Sequence, residues 1–161
     1  MKKLIALVIA IVMMAALAVP AFAADLTAAG TSNMTVSYTP GTTYTVTIPD
    51  SVAIGSKATV SVAANAVLPT GKQVKVTVSP SGEGTAWVLT STASDTLNYT
   101  ITKGEDTIAV GGTVLTHASG TETQTDAVLS FALATGVSTN KADTYSQIIT
   151  FTVGVEDIPQ A

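Results

Sequence analysis

The chain of 161 residues has no cysteine, no arginine, one histidine and one tryptophan, and only 11% of it is charged. Each shortage excludes something. Without cysteine there is no disulfide, no thiolate ligand or nucleophile, and no site for a lipoprotein anchor, so the fold must hold by its core alone. Without arginine, and with Lys57, Lys72, Lys75, Lys103 and Lys141 scattered singly, no basic cluster exists to release counterions from phosphates. Nucleic acid is therefore excluded as a partner, and anionic membrane surfaces are disfavoured for the same reason. One histidine cannot form a histidine pair for a metal. Long hydrophobic runs are also missing: the one uncharged apolar stretch, Leu4 to Val19, is 16 residues, short of the roughly 20 that span a bilayer.

That stretch has a purpose of its own. Lys2 and Lys3 precede it, and Pro20 and the small-residue triplet Ala21-Phe22-Ala23 follow, which is the layout of a secretory signal peptide over residues 1–23. Cleavage after Ala23 is expected to leave 161 − 23 = 138 residues with a net charge of 5 − 11 = −6. The product is expected to be secreted, extracellular or held at the cell surface or cell wall, with no membrane span. A chain of that size can bury roughly two thirds of its unfolded surface. One domain is expected over 43–161, preceded by residues 24–42 as a leader or first strand.

Alternation of apolar and threonine-rich positions dominates the mature chain and predicts strands almost throughout. "TYTVTIP" places Tyr44, Val46 and Ile48 on one face, and Pro49 ends the pattern. "ATVSVAA", "KQVKVTVS", "AWVLTS", "LNYTITK", a weaker "TIAV", "DAVLSFALA" and "YSQIITFTVGV" continue it, with Ile149, Phe151, Val153 and Val155 inward in the last. "NMTVSYT", with Met34, Val36 and Tyr38, is one more candidate. Helix is an alternative only in "SVAANAVLP" and "DAVLSFALA", which lack caps and helically spaced charges. The expected fold is all-β, an immunoglobulin-like antiparallel β-sandwich of eight or nine short strands.

Catalytic constellations are hard to find. His117 sits in "VLTHASGTET", read as a solvated loop, and Ser119 beside it has neither a strained turn nor a G-x-S-x-G context. Glu105-Asp106 and Glu156-Asp157 are adjacent acids, whose side chains point to opposite faces of a strand. They read as turn and solubilising charges, since glycosidic chemistry needs two carboxylates facing across a cleft. The same loop-end oxygens raise calcium, but no ordered D-x-D ligand run exists. Gly111-Gly112 lacks the following helix of a phosphate loop. No enzyme, no cofactor and no metal are expected.

Three segments in order carry a resemblance: "TAWVLTS" (85 to 91), "DAVLSFALA" (126 to 134) and "DTYSQIITFTV" (143 to 153). Together they resemble the WxL family of exported surface domains of Gram-positive bacteria. Trp87 and Leu89 match the W-x-L, and Tyr145, Phe151 and Val153 fall on the family's terminal strand, with phenylalanine at Phe151 where the family has a second tryptophan. The resemblance implies a non-catalytic, structural or adhesive domain held non-covalently by cell-wall polysaccharide or another surface protein.

Trp87 and Leu89 share a strand face. Facing outward they would offer a platform for a sugar ring; facing inward they would bury a large apolar area against Tyr99 and Phe131. The inward placement is expected, since a sandwich without disulfides depends on such area. An alternative to the wall-bound module is a self-assembling, pilus-like homopolymer, in which residues 25–38 of one copy complete the sheet of the next.

Overall fold

The fold is described from a computed structural model, which covers residues 7–10, 38, 40–82 and 84–160. The expected cleavage after Ala23 lies outside the described residues, as does the strand candidate "NMTVSYT" apart from Tyr38. In chain order the strands are β1 (Leu7–Ala10), β2 (Thr45–Ile48), β3 (Lys57–Val62), β4 (Lys72–Pro80), β5 (Val88–Ser91) and β6 (Thr96–Lys103). They continue with β7 (Asp106–Thr107), β8 (Thr113–Ala118), β9 (Thr125–Leu133), β10 (Tyr145–Ser146) and β11 (Ile149–Asp157). No helix interrupts them among the described residues. The protein is all-β, and every strand pairing is antiparallel.

Two sheets result, and they are unequal. The larger runs β1-β2-β3-β9-β6-β5-β10, with β7 paired to β6, and curls into a half-barrel; the smaller has only β11-β4-β8. Their facing surfaces form the core. Val46, Val60, Val62, Ile101 and Leu129 come from the larger sheet, and Val74, Val76, Val78, Val114 and Leu115 from the smaller. Alternation explains this division: β4 is buried at Val74, Val76 and Val78 and half-buried at Lys75 and Thr77 between them, as a period of two demands. Branched Val and Thr suit the pleated backbone on both faces.

Among the described residues eleven strands stand against the eight or nine expected. The excess is β7 and β10, of two residues each, and β1, whose Leu7–Ala10 pairs with the outer edge of β2 although it lies within the expected signal peptide. "YSQIITFTVGV" divides between the sheets, Tyr145–Ser146 pairing with β5 and Ile149–Asp157 with β4.

His117 corrects the sequence reading. It lies on β8 opposite Val74, at 1% exposure, and not in a solvated loop. Its environment escaped the pattern because β8 carries two consecutive buried residues, Val114 and Leu115, beside a register shift at Val76/Thr77. Val155 departs in the opposite sense: it is exposed, while Ile149, Phe151 and Val153 are only half-buried. Among the described residues β11 is the edge of its sheet, with β4 on one side and no strand on the other.

Candidate docking groove

The mismatch between the sheets leaves an apolar groove of about 900 Å³ at one end of the molecule. Its floor is the inner face of the larger sheet, where half-buried Leu89 and Leu133 lie with buried Leu97, Tyr99 and Phe131. One wall is the segment from Ile48 to Ile54, the other the chain from Tyr145 to Phe151. Local signals build both walls. Pro49 ends β2 because it has no N–H to donate, and Gly55 adopts φ +85°, a region natural to glycine. There its N–H donates to the carbonyl of Phe131 at 2.7 Å, and the Phe131 N–H donates back to Ser56 at 3.1 Å. The first wall is thus anchored to the floor.

Gln147 anchors the second wall. Its Oε1 accepts from the Tyr99 hydroxyl at 2.8 Å and from the Val88 N–H at 3.2 Å, and its Nε2 donates to the carbonyl of Ala86 at 3.3 Å. Burial pushes the Tyr99 phenol up to about 12, so it stays a neutral donor at any physiological pH. Ile148, on the rim of this wall, is 76% exposed, and its backbone carbonyl accepts from the Ser81 N–H.

The sequence-expected residues separate here. Leu89, Tyr145 and Phe151 line the groove, whereas Trp87 and Val153 do not. Trp87 lies just before β5 at 8% exposure, its ring tilted 48° against Tyr99 with centroids 6.0 Å apart. Its indole N–H donates to the carbonyl of Ile108 at 2.9 Å, so the platform for an outside sugar is not what this residue presents. Phe131 shares its core cluster. Gln147 and Ile148 were not singled out from sequence. A usable signal existed: of the adjacent Ile148 and Ile149, only one can face inward on a strand.

Of the four acids, Glu156 and Asp157 are paired. Lys75 reaches Glu156 at 3.2 Å and Lys72 reaches Asp157 at 2.7 Å, both pairs tying β11 to β4. Glu105 and Asp106 are exposed at the β6–β7 turn. No group of three His, Asp or Glu side chains is placed to hold a metal among the described residues. A second, shallower cleft is polar, lined by Ser94, Asp95, Asn140 and Lys141 among others. There Lys141 is held above the usual lysine range chiefly by its hydrogen bond to Asp95; nearby in sequence, the Thr144 N–H chiefly holds Asp143 below the usual carboxylate range.

An apolar, partly open groove with fixed walls and few polar groups recognises apolar side chains or an extended segment, as ligand clefts of this size do. No family model, curated protein or solved structure matches the chain.

Proposed function

We propose that the protein is an exported, non-catalytic module of the cell surface, structural or adhesive, which docks a wall component or another surface protein in the apolar groove. The observation that carries this reading is the groove itself, an apolar concavity of about 900 Å³ lined by Leu89, Tyr145 and Phe151. The signal-peptide layout of residues 1–23 supports export, and the W-x-L resemblance supports a surface role. In fold we read an immunoglobulin-like sandwich in which the larger sheet curls past the smaller and leaves the groove uncovered.

The test is retention of the mature chain, residues 24–161, on purified wall sacculi over a range of ionic strengths. Binding that persists in high salt is expected, because an apolar contact is not screened. Failure to bind at every ionic strength overturns the wall half of the proposal. Capture of a single defined surface protein in its place would support the partner half.

A further inference from the structure

We propose that the groove is a strand acceptor, filled by residues 34–38 of a second copy of this chain, which pair with the free edge of β11. The inference rests on the docking reading and names its occupant. Its first support is the missing layer. The smaller sheet has three strands against the larger sheet's longer array, and β11 ends it without a further neighbour among the described residues. The inward side chains of β11 remain half-exposed, while those of the next strand, Val74, Val76 and Val78, are fully buried. One more strand beside β11 would cover the half-exposed residues and the groove floor together.

The second support is a segment whose sequence matches the need. Met34, Val36 and Tyr38 alternate with polar residues, so one face of an extended strand would be apolar and the other polar. Tyr38 is 86% exposed, and Pro40 and Gly41 are exposed as well. Residues 34–38 lie just before the exposed Pro40 and Gly41, and five extended residues span about 17 Å, the length of an ordinary strand. Strand addition at an edge supplies main-chain hydrogen bonds for affinity and side-chain pockets for register. Because donor and acceptor are different surfaces, the contact is head to tail and propagates into a fibre.

Two substitutions in the mature chain test this: Val36→Asp disables the donor, and Ile148→Asp, at an exposed position, charges the acceptor rim. By light scattering after size exclusion, the unsubstituted protein is expected to grow in mass with concentration, and each variant to run as a monomer. An equimolar mixture is expected to give a species of twice the monomer mass and nothing larger. In it, the Val36→Asp groove takes the strand of the Ile148→Asp copy, and no working pair is left. Continued growth of either variant overturns the assignment. So does a mixture that stays monomeric, the result if the leader folds back on its own β2.

Wall sacculi separate this failure from that of the docking reading. If nothing self-associates but Ile148→Asp alone loses sacculus retention, the occupant is a wall component and only the inference falls. If nothing self-associates and Ile148→Asp is retained as the parent is, the groove docks nothing and both readings fall.

Discussion

The indole N–H of Trp87 donates to the main-chain carbonyl of Ile108 at 2.9 Å, across 21 residues of sequence. The bond joins the entry to β5 with the turn after β7, which itself docks on β4 through hydrogen bonds between Val78 and the Gly111-Gly112 pair. Trp87 thus links the two sheets by packing and by one buried polar contact. The two contributions can be separated. Trp87→Phe keeps most of the packing but leaves the Ile108 carbonyl unpaired, a loss of about 1–3 kcal/mol. Trp87→Ala also opens a cavity and is expected to cost about 3–5 kcal/mol. Urea unfolding followed by circular dichroism would show the order; equal losses would mean that the hydrogen bond contributes all of it.

Gly112 should resist enlargement for a related reason. A Cβ there would lie 2.7 Å from the Ala109 carbonyl oxygen and 3.1 Å from Ile108 Cγ2. The oxygen cannot retreat freely, because it accepts the Gly112 N–H at 2.9 Å. Gly112→Ala is expected to destabilise by about 1–3 kcal/mol, the usual cost of overpacking. Substituting Gly154, whose Cβ would meet no atom within 4 Å, provides the control in the same denaturation assay.

His117 predicts a loss of stability in acid. Burial disfavours the imidazolium and lowers its pKa below the ordinary 6.5; Nδ1 meets the Thr125 hydroxyl at 2.8 Å, and Nε2 has no partner among the described residues. The unfolded chain therefore binds this proton more readily than the folded one. The stability it contributes is complete above about pH 6.5 and falls as pH drops through that value towards the lower folded pKa. Thermal melts from pH 7.5 to 4.5 should show Tm falling faster for the parent than for His117→Leu. Parallel curves would rule out His117 as the source.

Gln147 is expected to set the shape of the groove. Gln147→Leu removes the acceptor of both the Tyr99 hydroxyl and the Val88 N–H, at a cost of about 1–3 kcal/mol. Hydrogen exchange at Val88 should accelerate if the wall loosens. Tyr99 gives a second readout. Its folded pKa, about 12, stands above the unfolded 10.0, so the stability it contributes is present below pH 10 and is lost as pH rises towards 12. In the variant, absorbance at alkaline pH should show a tyrosine ionising earlier than in the parent.

The strands were legible because their signal is local. Val74, Val76 and Val78, or Leu129 and Phe131, declare an inner face by spacing alone, and each lies there. His117 was not legible. Its neighbours Thr116 and Ser119 read as a polar loop, and only the pairing of β8 with β4 turns its side chain into the core. The groove was illegible in the same way: Leu89, Phe131 and Ile149 belong to three distant strands, and each looks like an ordinary core residue in its own segment.

What the sequence determined by itself was the all-β class, the inward face of most strands, the shortage of catalytic groups and the layout of an export signal. These depend on side-chain period, composition and short-range order, which do not require knowing what packs on what. Tertiary structure alone decided that the sheets would be unequal, that Trp87 would be bound inward while Leu89 lines an open groove, and that β11 would be an edge among the described strands. Strand partnership is a matter of contacts between residues far apart in the chain, and alternation of Val and Thr is equally compatible with many partners.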